Sequence, residues 1–251
     1  MNKIENFLNL DFSKKDQAWI HSSYKLRQTV GIAGMLMPIL LMFSLYLYNE
    51  VDFVLPSISH YYFTRSGTIF TSVLIVLGTF LLIYKSYEKL DFWLSTLAGV
   101  FALFVALAPT SNLVEVCCAI DMKHAITHFS DDTKELNPRI LFHYISAGLF
   151  FLCLAIMSFF LFTKTEKGKK KTKHKKIRNI IYKSCAVVMV LSILIILFNF
   201  NNEDPTSFYN RNHMTFWLEF AAVEAFGLSW LIKGETLFKD KKVNDMNSIS
   251  N

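Results

Sequence analysis

Six long apolar stretches constrain this chain more than any other feature. A helix needs roughly 20 mostly apolar residues to cross about 30 Å of hydrocarbon. Residues 28–48, 67–84, 92–108, 140–162, 180–200 and 214–232 approach or meet that length with few charges. Hydrocarbon offers no water to unpaired N–H and C=O groups, so such stretches fold as helices that satisfy their own backbone. The expected fold is therefore all-α, a polytopic transmembrane bundle of about six helices. Composition agrees: 53% of residues are hydrophobic and 18% charged, with 24 Phe, which is too apolar for a soluble domain of this size. The signatures of soluble enzymes, a Gly-rich phosphate loop or a G-x-S-x-G elbow, are missing from the sequence, as is an obvious 20–50-residue repeat.

The basic residues set the orientation. If the N-terminus is cytoplasmic, segments 1–27, 85–91, 163–179 and 233–251 lie inside and carry 20 Lys/Arg, against 5 in the outer segments 49–66, 109–139 and 201–213. The positive-inside rule then puts both termini in the cytoplasm, and a bacterial cytoplasmic (inner) membrane is the expected location. Lys183, one turn into the fifth stretch, snorkels back to the headgroups. The net charge of +6 needs no nucleic acid to explain it. The run Lys164–Arg178, with eight Lys and one Arg, anchors the topology and suits anionic lipid headgroups, each charge contributing about 1 kcal/mol near the surface.

The organisation expected is a cytoplasmic segment 1–27, a transmembrane domain 28–234 and a polar cytoplasmic tail 235–251. The first segment reads either as a short helix on the inner leaflet or as disordered chain, and the first span as a retained helix without a small-residue cleavage site. Between 112 and 129, helical spacing of apolar residues predicts a short helix across the outer mouth. His124 and His128 share a face there, with Asp131 and Asp132 nearby, but lack the Glu of H-E-x-x-H. Cys117 and Cys118 fall in the same loop, and neighbouring cysteines resist bonding each other.

Polar residues in the spans or at their edges point to function, because a charge inside a span costs about 2.5–3.5 kcal/mol on insertion scales. Glu219 and Glu224 both lie in the sixth stretch. At 100° per residue they are separated by about 140° around the axis, so they face different partners. Ser57, Ser59, His60, Tyr61 and Tyr62 precede the second span, Ser111 and Asn112 follow the third, and His143 opens the fourth. All map to the outer boundary near Glu219 and suggest an outward-opening polar pocket. Ser57, Ser59, His60, Tyr62, Asn112 and Glu224 are candidate ligand-binding residues, and His143 and Glu219 candidate catalytic residues. His60, His143 and Glu219 suit zinc, two imidazoles and a carboxylate with one position open. The alternative is a hydrogen-bonded His–Glu and Ser–Tyr network. Glu224 reads either as a proton or cation carrier or as a protonated carboxyl bonded to a neighbouring helix.

Pro38, Gly31 and Gly34 in the first span suggest a kink or close packing, and Gly99, Gly148 and Gly227 close helix approach. Trp93, Trp217, Trp230, Tyr84, Tyr87 and Tyr144 fall near span boundaries, as an interfacial aromatic belt requires. Cys153 and Cys185 read as small apolar residues within helices.

Pro56-Ser57-Ile58-Ser59, Ala106-Leu107-Ala108-Pro109-Thr110, His143, Glu219 and Phe226–Gly234 together resemble an uncharacterised bacterial family of polytopic membrane proteins. More distantly they are similar to DRAM-like and GPI-lipid-remodelling membrane proteins. The resemblance covers roughly residues 28–234. His60 stands where the eukaryotic relatives carry an acidic residue. The resemblance implies a compact bundle whose outward polar positions bind or process a lipid. If the chain is an enzyme, the residues themselves suggest hydrolysis or transfer on a lipid ester or amide, with His143 or Glu219 as general base and a metal polarising the carbonyl. Two other functions compete: proton- or cation-coupled transport through Glu224, by the single chain or a homo-oligomer, and membrane assembly or signalling through the Lys-rich loop.

Overall fold

A computed structural model describes residues 17–47, 54–84, 89–110, 138–165, 172–200, 202, 204 and 206–238. Six helices dominate: α1 (Gln17–Leu47), α2 (Gly67–Ile83), α3 (Lys89–Leu107), α4 (Pro138–Ile156), α5 (Lys173–Phe198) and α6 (Met214–Lys233). No strand occurs among the described residues. All but α2 are long and apolar enough to cross a membrane. At 1.5 Å per residue, the 17 residues of α2 reach about 25 Å. The chain just before α2 forms a separate 3-10 helix, Ile58–Phe63, which is the segment that carries Ser59 and His60. The all-α polytopic bundle expected from the apolar stretches is the observed fold.

Each helix packs on its neighbours in the chain, and α6 returns to pack on α1, so the bundle closes into a ring. Residues from the end of α1, the start of α2, the end of α3 and the start of α6 share one apolar cluster, which includes Leu41, Leu45, Phe70, Val105 and Phe216. The opposite ends share another, with Leu81, Tyr84, Phe162, Tyr182 and Trp230. Large apolar side chains also cover the outside; Phe198 is 86% exposed and Ile180 65%. That distribution suits a solvent of lipid tails, where exposure of an apolar side chain carries no hydrophobic penalty.

Glycine decides how close two helix pairs come. A Cβ on Gly31 would stand 2.7 Å from the carbonyl oxygen of Gly227, and one on Gly227 2.7 Å from that of Gly31. The α1–α6 contact is therefore backbone to backbone. Gly78 and Gly99 do the same for α2 and α3, where a Cβ on Gly99 would lie 2.7 Å from Gly78 O. Gly148 departs from the expectation of close approach: a Cβ there would meet nothing within 4 Å.

Several boundaries differ from the apolar stretches. α1 begins at Gln17 and α5 at Lys173, because helical hydrogen bonding continues beyond the hydrocarbon wherever residues tolerate it. At its C-terminus α4 widens into a π turn, Met157–Leu161. Trp230 and Tyr84 are not in an interfacial belt. They are 1% and 4% exposed and belong to the core, since the helix ends that carry them are buried by their neighbours. Trp93 and Trp217, by contrast, are 60% and 45% exposed. Cys153 and Cys185 are buried free thiols. The predicted helix at 112–129, with Cys117, Cys118, His124 and His128, lies outside the described residues, as do Ser111, Asn112 and Tyr87.

Candidate functional site

The chain between α1 and α2 is strapped to the start of α6, where Phe216 N–H donates to Pro56 O at 3.1 Å. Tyr61 is fully buried beside Phe216 (ring centroids 6.1 Å apart). Ser57 then caps the 3-10 helix, its Oγ accepting the Ser59 N–H at 3.1 Å. Short polar side chains favour such caps because they satisfy backbone donors that the first turn leaves orphaned.

The same Ser57 hydroxyl donates to the Glu219 carboxylate, 2.8 Å from Oε2 and 3.0 Å from Oε1. Ile58 N–H donates to Glu219 Oε2 at 2.6 Å. An ionised carboxylate is an acceptor only, and a serine hydroxyl and a backbone amide aimed at one edge of it form charge-assisted bonds of the stronger kind. Glu219 therefore joins α6 to the 3-10 helix.

His143 makes the second link. Its Nδ1 lies 2.6 Å from Ala108 O, and its Nε2 3.0 Å from Ser59 Oγ. A carbonyl only accepts, so Nδ1 carries the proton and Nε2 accepts from the Ser59 hydroxyl. The imidazole thereby ties α4 to the end of α3 and to the 3-10 helix. His143 is 1% exposed and Ser57 and Ser59 are 8% exposed each, while Glu219 is half-buried.

His60 is half-buried on the same 3-10 helix. Burial, with His143 and His213 nearby, pushes its imidazole down to about 4, so it is neutral at pH 7. His213 stands at the entry to α6 in a left-handed conformation, φ 50°. Just before it, the Tyr209 hydroxyl meets Thr215 Oγ1 at 3.0 Å, and burial pushes the Tyr209 phenol up. Tyr62 lies edge-on to Phe63, ring centroids 5.3 Å apart.

Ser57, Ser59, His143 and Glu219 thus share one network, with His60 close to His143. Glu224 does not join them. It lines a groove of about 360 Å³ with Met35 of α1, Ser184, Cys185 and Val188 of α5, and Leu228. Its buried Oε1 has no hydrogen-bond partner among the described residues. The sequence reading also had no means of finding the backbone partners, Ile58 N–H and Ala108 C=O. Among the described residues no group of three His, Cys, Asp or Glu is placed to hold a metal ion.

The comparisons with known proteins stop at the family. Neither the curated proteins nor the solved structures gave a match to this chain. One family model, described as "Protein of unknown function (DUF998)", matches residues 31–223. That range runs from the first turns of the α1 span to the middle of α6, takes in the whole hydrogen-bonded network, and places the chain in the DUF998 family of uncharacterised proteins.

Proposed function

We propose that this protein binds the headgroup of a membrane lipid or small amphiphile at the end of the bundle that holds Glu219 and His143. One observation carries the reading: a half-buried carboxylate is held from behind by Ser57 and Ile58, leaving acceptor capacity for a ligand. A carboxylate has about four lone-pair sites. Headgroup hydroxyl or ammonium groups are the complementary donors. Preorganisation of this kind lowers the ordering cost of binding. The lysine distribution supports an outward-facing site in a bacterial cytoplasmic membrane, with both termini inside.

A second reading rests on the Ser59–His143 bond. With Nδ1–H fixed on Ala108 O, Nε2 is the basic nitrogen and faces the Ser59 hydroxyl. In acyl transfer His143 would take the Ser59 proton as Oγ attacks a lipid ester carbonyl, then return it to the departing alcohol. Zinc at His60, His143 and Glu219 would instead require His143 Nε2 to give up Ser59. Transport through Glu224 would use a different part of α6.

The test is purification of wild type, Glu219→Gln and His143→Ala in mild detergent, followed by mass spectrometry of retained lipid and elemental analysis. One lipid class retained by the wild type and lost from Glu219→Gln supports binding. Stoichiometric zinc lost from the variants would replace it with the metal reading. Neither lipid nor metal would sink the site as a ligand pocket and turn attention to Glu224.

A further inference from the structure

The opposite end of the bundle is built differently. There, three rings from three helical segments stack edge to face: Tyr84 against Trp230 (centroids 5.2 Å apart) and Trp230 against Phe162 (5.6 Å). A cation sits over each outer ring, Arg27 5.3 Å from the centroid of Tyr84 and Lys233 5.1 Å from that of Phe162. Arg27 also lies over Tyr24 at 5.5 Å.

Neither cation has a carboxylate within ion-pair distance among the described residues. The buried Nε of Arg27 has no acceptor among the described residues. Arg27, Lys175 and Arg178 all lie close enough to Lys233 to repel its charge, and Asp91 close enough to attract it. Lys175 donates to Phe162 O at 3.0 Å and Arg178 to Phe238 O. Asp91 is 3.9 Å from Lys164, and Glu235 lies with Arg27 and Arg178 around Tyr182. Among the described residues this end therefore gathers five cations, Arg27, Lys164, Lys175, Arg178 and Lys233, around two carboxylates.

Ring faces attract a cation but do not neutralise it. Two half-buried cations held by aromatic rings, one with an N–H that has no acceptor among the described residues, have donors to offer an anion. Arg and Lys together match phosphate oxygens, the guanidinium as a fork and the ammonium as a point charge. The cluster stands at the helix ends, the depth at which lipid phosphates lie.

We propose that Arg27 and Lys233, held by the Tyr84–Trp230–Phe162 stack, form a phosphate-binding site. It is separate from the Glu219 network, and its ligands are Arg27 and Lys233 rather than the lysines at 167–171 of the basic run. The loop attracts anions by diffuse charge, whereas this site holds one phosphate by positioned donors.

The test uses the full-length protein in detergent with 0.5 M NaCl, where diffuse attraction is screened to a few ångströms. Phosphatidic acid and phosphatidylcholine are titrated by native mass spectrometry against wild type, Arg27→Gln, Lys233→Gln and a loop variant with Lys167, Lys169, Lys170 and Lys171 changed to Gln. The proposal expects the wild type to prefer phosphatidic acid. It expects each single variant to lose roughly tenfold or more in affinity, about 1.4 kcal/mol, and the loop variant to bind as the wild type does. Displacement of the lipid by inorganic phosphate would give the site to free phosphate; resistance to displacement would give it to the lipid headgroup. Equal binding of the two lipids by the wild type overturns the proposal without any variant. So does unchanged affinity in Arg27→Gln and Lys233→Gln, or loss of binding in the loop variant. If a neutral variant does not fold, Lys233→Arg and Arg27→Lys, which keep the charge, should retain the preference, and its loss in both would also overturn the site.

Discussion

The two ends of this bundle handle buried charge in opposite ways. At the Glu219 end, the charge is met by hydrogen bonds from Ser57 and Ile58, and His143 by Ser59 and Ala108. At the Lys233 end, cations rest on aromatic faces with few carboxylates among the described residues. A buried charge met by positioned hydrogen bonds is fixed in place. One held only by ring quadrupoles keeps its donors for something else. The first end is thus held in place by its own donors with carboxylate acceptor sites still open, and the second is completed by an anion. α6 contributes to both ends, so a change along it reports on the two separately.

The largest expected effect falls where α6 meets α1 and holds both ends in register. Gly227→Leu has no space against Gly31 O and should cost about 1–3 kcal/mol or more by overpacking. Gly148→Leu, with nothing within 4 Å of its Cβ, should stay within about 0.5 kcal/mol. Thermal unfolding in detergent compares them, and equal losses would break the claim that the α1–α6 contact is the tight one.

Next comes the polar lock. Glu219→Ala leaves the Ser57 hydroxyl and Ile58 N–H as buried donors and should cost roughly 1–3 kcal/mol. Glu224→Ala, five residues along the same helix, removes a carboxyl whose Oε1 has no partner among the described residues and should be neutral or stabilising. If Glu224→Ala destabilises as much as Glu219→Ala, the contrast between the two carboxylates is wrong.

The smallest effect at neutral pH is that of His60, which shows only as the pH falls. Folding lowers the His60 pKa from 6.5 to about 4, so between those values the unfolded chain binds more protons than the folded one. Stability should fall as pH drops from 6.5 towards 4, with a slope of up to about 1.4 kcal/mol per pH unit from this group, and level off below. His60→Gln should flatten that segment of the stability curve; a curve identical to wild type would show that His60 is not buried beside His143.

The spans were legible because hydrocarbon leaves the chain few choices: long apolar runs mean helices. The clustering of Ser57, Ser59, His143 and Glu219 was legible as a shared depth, since each sits a known number of turns from a span boundary. The pairing was not, because depth does not fix rotation and the decisive partners are backbone atoms of Ile58 and Ala108 that every residue carries. Trp230 shows the converse error. Position near a boundary suggested a membrane belt, whereas its neighbours Tyr84 and Phe162 bury it, and only tertiary contact decides which. Gly227 and Gly148 look alike in sequence for the same reason.

The most direct test of the Glu219 site is ligand-induced thermal stabilisation, because a ligand that binds only the folded state raises the melting temperature by mass action. Wild type, Glu219→Gln and Lys233→Gln would be heated in detergent with lipids differing only in headgroup. The account predicts at least one headgroup, bearing hydroxyl or ammonium donors, that stabilises wild type and Lys233→Gln but not Glu219→Gln. If no headgroup separates Glu219→Gln from the other two, the hydrogen-bonded network is a structural clasp and not a binding site.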